Sequence, residues 1–298
     1  YISHRLEEIK QIADRIVVIR DGEKVKDFAT ADVPVRTIVE AMVGRSMEQM
    51  FPPMAKPSDE TVLKISGLTS PAKRFRDVSF SVRRGEIFGI AGLVGAGRTE
   101  LVRSIAGIDP IQSGKVELNG KDITPKSPGQ AIANGIILVP EDRKQQGLIL
   151  DHSIEENIAY SNFDSVGISG WIRGNLVQNF ARENIKRFGV KGKGHQKANQ
   201  MSGGNQQKVV IAKWLARNPS VVLLDEPTRG IDVGARSSIY ELIHNLAMQG
   251  VAVIVVSSDL EEVLGVSNRI MVMAGGLTTG ILDHTEANDV SIMELATV

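Results

Sequence analysis

The chain has 298 residues, a 42% apolar fraction and 35 basic against 35 acidic residues, so its formal charge at pH 7 is zero. That length fits one complete domain plus part of another, and the charge balance gives no support for a broad nucleic-acid-binding surface. Lack of cysteine excludes disulfides and thiolate metal sites, and apolar runs such as "VAVIVV" at 251–256 fall far short of the roughly 18 residues of a membrane-spanning helix, so any membrane link is expected to be peripheral.

The chain opens on Tyr1 with no signal-peptide pattern, and its first segment points to a fragment. "ISHRLEEIKQIADRIVVI" from Ile2 aligns without gaps to "VSSDLEEVLGVSNRIMVM" from Val256, with identities at Ser3, Leu6, Glu7, Glu8, Arg15, Ile16 and Val18. A repeat in one register over that separation is expected when the tail of one domain, residues 1–45, precedes a complete second copy. The strand pattern "RIVVIRDG" at 15–22, stripped of its parent sheet, is expected to pair with another chain or to be disordered. "RTIVEAMVG" at 36–44 reads as a short helix stopped by Gly44, and "MFPPMAKPSDE" places a linker over 46–60.

From Thr61 onward short apolar strands alternate with helical patterns. "GEIFGIAG", "GIILVP", "SVVLLDE" and "VAVIVVSS" are each bounded by turn residues or polar caps, which argues for an α/β domain with a mainly parallel core. The stretch from about 142 to 217 is polar and helix-rich, without a convincing strand, and reads as a helical insertion in that core.

Three motifs carry chemistry. "GLVGAGRT" at 92–99 lies between an apolar strand and a helical pattern holding Leu101, Val102, Ile105 and Ala106. Gly92, Gly95, Ala96 and Gly97 let backbone N–H groups converge on a phosphate, Arg98 adds charge, and Thr99 is placed to ligate Mg²⁺. In "VVLLDEP" at 221–227 a buried strand delivers Asp225 and Glu226 to its carboxyl end, the ligand-binding end of an open parallel sheet. Asp225 would orient Mg²⁺ through water and Glu226 would act as general base on the attacking water. "MSGGNQQKVVIAKWLARNP" at 201–219 starts a helix with Ser202 as N-cap candidate and Gly203 and Gly204 open to close approach, and its Val209, Ala212 and Leu215 face one buried side.

On these residues the chain resembles an ATP-binding cassette protein: phosphate loop "GLVGAGRT", signature "MSGGNQQ", acidic strand "VVLLDEP" and the following loop "RGIDVGA" at 229–235. More narrowly, "VPEDRKQQGL" and "DEPTRGIDVGA" are similar to the second cassette of two-cassette ATPase subunits of bacterial monosaccharide importers, of the ribose, xylose and galactose class. The resemblance covers 61–285 and implies a P-loop NTPase fold with a RecA-like parallel core, an antiparallel β subdomain and a helical subdomain. It implies ATP sandwiched between one cassette's phosphate loop and the other's signature, so Ser202, Gly203 and Gly204 would serve the γ-phosphate held by the first cassette, with Asn205 and Asp232 also expected among the nucleotide-binding residues. His4 falls on that cassette's switch histidine. The implied partners are the first cassette, membrane permease subunits docking near 141–160 and, indirectly, a periplasmic or extracellular sugar-binding protein. The implied place is the cytoplasmic face of the bacterial inner membrane.

Three positions depart from the family pattern around one site: Arg98 replaces lysine, Glu141 replaces a Mg²⁺-sensing glutamine, and Ser258 stands where the repeat keeps His4. A guanidinium fork is not equivalent to a compact ammonium in a tight phosphate cradle, so this site is expected to bind ATP and Mg²⁺ with weak hydrolysis. No aromatic residue for stacking on adenine stands out near 70–75, and Phe75 reads equally as core. "KGKGH" at 191–195 reads as a solvated turn. Two other readings remain: a non-catalytic regulatory cassette, and a soluble cassette ATPase acting on DNA or ribosomes. Against the latter stand the absence of sustained heptads between Gly97 and Ser202, of zinc-binding cysteines and of a long charged linker.

Overall fold

The computed structural model describes residues 1–2, 6–20, 22–44, 50–168 and 171–297. A six-stranded sheet runs in the order Leu277–Asp283, Arg269–Ala274, Ile87–Gly92, Ala252–Val256, Val221–Asp225, Ile136–Val139. All neighbours are parallel except the first pair, which is antiparallel. The central strands are continuous apolar runs because both faces of the sheet are covered. Val221 and Leu223 join a cluster with Leu101, Val102 and Ile105, whereas Val222 and Leu224 join another with Val209, Ala212, Leu215 and Ile243. This is the period of two expected along a strand, and each buried Val or Leu contributes about 1.5–3 kcal/mol.

A second sheet, Val78–Arg83, Thr61–Thr69, Ser113–Leu118 and Lys121–Asp122, is antiparallel throughout. Its Leu63, Ile65, Val82 and Val116 share the cluster of the phosphate-loop helix, and Phe80 stacks on Phe88 with ring centroids 5.1 Å apart, inside the roughly 4.5–7 Å usual for aromatic pairs. Phe75 is fully buried in the same cluster, so it is a core residue and cannot stack on adenine.

The helical insertion holds helices Ile154–Tyr160, Phe163–Val166, Gly174–Arg187 and Gly203–Leu215. The first begins with a capping box, in which Ser153 and Glu156 exchange side-chain and backbone hydrogen bonds. Among the described residues the insertion departs from helix in a two-residue pairing of Gly167–Ile168 with Trp171–Ile172 and in an isolated antiparallel bridge between Ser153 and Lys197. Among the described residues no helix is long and apolar enough to cross a membrane.

The N-terminal segment corrects the expectation for 15–22. Arg15–Arg20 pairs antiparallel with Glu23–Ala29 of the same chain, with a register shift between Val18 and Ile19. Its inward residues Ile16 and Val18 are covered by Val33 and Ile38. The next seven residues thus satisfy one edge of the strand, and a short helix covers one face. That helix, Val35–Val43, stops at Gly44, whose N–H reaches back to the Glu40 carbonyl. Within the linker 46–60, residues 46–49 lie outside the described residues, and the rest is docked. Phe51 stacks on Tyr240 at 4.8 Å, Ala55 is buried, and the Ala55 carbonyl accepts from Asn268 Nδ2 at 2.8 Å.

Candidate functional site

The parallel strands end together, and their carboxyl ends carry the candidate residues. Ile87–Gly92 leads through the loop into helix Arg98–Ile105, with the turn closed by Ala96 N–H donating to the Leu93 carbonyl at 3.0 Å. Gly97 has φ 91°, and a Cβ there would collide with the Arg74 carbonyl oxygen, so only glycine lets the loop close. Gly92 ends the strand. Gly95, Ala96, Gly97, Arg98 and Thr99 line a cleft of about 430 Å³ with Glu141, Glu226, Arg229 and Ser258.

Arg98 does not reach outward from the loop. It is 7% exposed, donates to the Ser257 carbonyl, and holds Nη2 at 3.8 Å from Glu226 Oε1. Burial pulls its pKa down, and the Glu226 and Asp225 carboxylates oppose that pull. The odd residue of the loop is therefore a bridge between the loop helix, the acid pair and the switch segment.

Thr99 Oγ1 donates to Asp225 Oδ1 at 3.2 Å, so two of the three candidate Mg²⁺ residues are adjacent. Asp225 is 2% exposed, and burial pushes its carboxyl up to about 6 against the Thr99 hydrogen bond. Glu226 sits at φ 47°, a left-handed conformation that costs a non-glycine residue on the order of 1–3 kcal/mol. Its N–H donates to the Val256 carbonyl at 2.8 Å, and its Oε2 accepts from Ser258 Oγ at 3.1 Å. Ser258 thus meets the candidate base. The third metal candidate, Glu141, lines the cleft but is ion-paired with Arg229. His4 lies outside the described residues.

The signature forms a separate half-site. Ser202 occupies the N-cap position of helix Gly203–Leu215 but makes no capping bond. Instead its Oγ accepts from Asn205 Nδ2 at 3.1 Å, while Asn205 Oδ1 accepts from Lys191 N–H at 3.1 Å. One-sided burial of this helix is also corrected: Val210 and Ile211 are buried beside Val209, Ala212 and Leu215, because the helix is enclosed by the sheet and by three other helices. Ser202, Gly204, Asn205 and Asp232 line a cleft of about 660 Å³ with Lys191 and Lys208. Lys191 of the "KGKGH" turn thereby borders a candidate site. Asp232 caps helix Val233–Met248 by accepting from Ala235 N–H at 3.0 Å. No residue of 92–99 lines this second cleft.

Sequence reasoning missed three residues. Arg229 pairs with Glu141 in the loop cleft, and its position just after the acid pair was the available signal. Arg143 joins distant segments, and its place within "VPEDRKQQGL" was the available signal, though nothing local showed which segments it would join. Glu262, the repeat partner of Glu8, is buried behind the switch segment. Burial pushes it up to about 7 against hydrogen bonds from Ser257 and Thr228.

The family model described as ABC transporter matches residues 75–229. The ribose import ATP-binding protein of Oceanobacillus iheyensis is 46% identical over 298 residues, covering 100% of this chain and 60% of that protein. The protein of the same name from Halalkalibacterium halodurans is 48% identical over the same span, again with 60% of its length covered. The chain thus spans 60% of the length of these curated relatives. A solved nucleotide-free ATP-binding cassette from an ABC transporter has a TM-score of 0.67 at 22% identity, covering 80% of this chain and 96% of that one. The ADP conformation of another cassette has a TM-score of 0.66 at 21% identity, covering 80% and 98%. Both establish a shared fold.

Proposed function

The chain belongs to the ABC transporter family, and from that premise we propose that it is the ATP-binding and ATP-hydrolysing part of an importer for a simple sugar. The observation that carries this reading is the convergence of Thr99, Asp225 and Glu226 beneath the phosphate loop, with the signature held apart in its own cleft. Each nucleotide site then needs a second cassette to complete it. Residues 1–45 would be the tail of that other cassette in the same protein, joined through 46–60 to the cassette at 61–298. The sugar class rests on relatives named for ribose import. Permease subunits would dock near 141–160 and a periplasmic sugar-binding protein would act through them, placing the chain peripherally at the cytoplasmic face of the inner membrane.

The residues fit a Mg²⁺-nucleotide. Thr99 would offer its hydroxyl and Asp225 its carboxylate through water. Among the described residues no three acidic or histidine side chains form a metal cage, so the ion's other ligands would be phosphate oxygens and water. Bound Mg²⁺ would neutralise charge on the β- and γ-phosphates. Glu226 would take the proton of the attacking water.

Arg98 and Ser258 both engage Glu226, and no imidazole stands at the switch position. This supports ATP binding with weak hydrolysis at this loop, the first cassette doing most turnover. In the full-length two-cassette protein, Glu226→Gln is expected to keep at least about half of the ATPase, while the equivalent first-cassette change lowers it roughly 10²-fold. Equal losses would overturn the asymmetry. The Arg98–Glu226 pair also favours a purely regulatory cassette; that reading requires Glu226→Gln to leave turnover unchanged.

A further inference from the structure

Arg143 stands where three functional segments meet. It opens a short π-helical turn, Arg143–Gly147, whose start is fixed by Asp142 accepting from Lys144 N–H at 2.9 Å and Gln145 N–H at 3.1 Å. Its guanidinium donates from Nη1 to the Arg229 carbonyl at 2.7 Å and from Nη2 to the Gly230 carbonyl at 3.0 Å. Nε points to Gln206 Oε1 at 3.4 Å, and Gln206 is itself buried with its amide donating to the Ala198 carbonyl at 3.0 Å. One side chain thus touches the turn after the acid pair and the first turn of the signature helix.

Two further features fit this junction. Glu141 pairs with the Arg229 side chain, so residues 141 and 143 hold position 229 by side chain and by main chain. At Gly203 a Cβ would lie 2.9 Å from Arg143 Nη2, so the signature glycine also leaves room for the guanidinium. The turn it grips is tied to the acids, because Arg229 N–H donates to the Glu226 carbonyl at 3.1 Å. A planar fork carries donors on three separate nitrogens and so serves two successive carbonyls and an amide at once, whereas an ammonium's three donors all leave one nitrogen.

We propose that Arg143 is a positioning residue that locks the 141–160 segment to the signature helix and to the turn behind Glu226, so that displacement of that segment moves both half-sites together. The proposal rests on the importer reading, in which 141–160 receives the permease.

The test uses the full-length two-cassette protein with its membrane subunits in lipid vesicles. Arg143→Ala is expected to lower sugar uptake per ATP hydrolysed by about tenfold, with nucleotide affinity at the phosphate loop kept within about twofold because Arg143 has no bond to 92–99. Arg143→Lys keeps the charge and the stem, so it guards against misfolding, and it should show the same uncoupling. Hydrogen exchange should quicken at 203–207 and 229–232 and stay unchanged in Val221–Asp225. Uptake per ATP at the wild-type value, rescue by lysine, or exchange quickened equally in that central strand would overturn the proposal. A wild-type protein without sugar-stimulated ATPase would instead remove the importer reading, and the exchange comparison would still judge the clamp.

Discussion

The loop cleft and the signature cleft both open at a glycine-led helix start, Arg98–Ile105 in one and Gly203–Leu215 in the other, so both offer backbone N–H groups to an anion. The first stands over the carboxyl ends of the six-stranded sheet, whereas the second is lined in part by Ile19 and Met42 of the N-terminal segment. The first collects Glu141, Glu226, Arg98, Arg229 and Ser258 around the loop, with Asp225 buried beneath Thr99. The second holds Lys191 and Lys208 and a single carboxylate, Asp232, which is spent as a helix cap. One cleft can orient a metal and a water; the other can only hold charge. The sheet supplies the chemistry, and the signature helix, the start of helix Val233–Met248 and the N-terminal segment together supply a surface for another site.

The largest test of that division is at the metal pair. Asp225→Asn is expected to weaken Mg²⁺-ATP binding to this chain roughly 10²-fold, and EDTA should reduce wild-type affinity to a similar level in the same titration. Lys208→Ala should leave that affinity unchanged, because Lys208 borders only the other cleft. If the two variants lost affinity alike, the clefts would not be separate sites.

Acidity provides a smaller, opposite-signed pair of effects. The folded Asp225 carboxyl titrates at about 6 against 3.8 in its ordinary state, chiefly through burial. The folded protein therefore binds this proton more tightly than the unfolded one. Its stabilising contribution is complete below about pH 3.8 and is lost as pH rises through about 6. Asp225→Asn should accordingly be more stable than wild type at pH 7.5 by about 1–3 kcal/mol, with the gap closing toward pH 4 in urea titrations. Mg²⁺-ATP affinity should run the other way, falling as pH drops through about 6, because the ligand needs the carboxylate. A pH-independent stability gap would place the cause in packing and not in the buried charge.

The parallel strands, the phosphate loop, the acid pair and the signature were legible because each is a contiguous run whose pattern or glycine spacing has a local cause. Long-range side-chain choices were not. Arg98 could be read as a charge facing phosphate, yet it turns to the Ser257 carbonyl and Glu226 from the far side of the sequence. Glu141 was placed by the family pattern at the position of a Mg²⁺-sensing glutamine, but its engagement depends on Arg229. Ser202 was legible as a helix N-cap, and the competing amide of Asn205 was not. The pairing of 15–20 with 23–29 was open to prediction from turn chemistry at Gly22, but the repeat argument drew attention to the missing sheet instead.

The finest distinction concerns two residues that both sit at N-cap positions. Asp232 accepts from Ala235 N–H, so Asp232→Ala should cost about 1 kcal/mol in urea unfolding. Ser202 accepts only a side-chain amide, so Ser202→Ala should cost less than about 0.5 kcal/mol. An accepting hydroxyl still has its proton to donate, and the Ser202 oxygen caps no backbone N–H of its own helix. A serine that supports hydrolysis by the assembled two-cassette protein while contributing little to stability would be a ligand contact and not a cap. Equal stability losses at 202 and 232 would make the signature start an ordinary capped helix, and the second cleft would lose its claim to a phosphate.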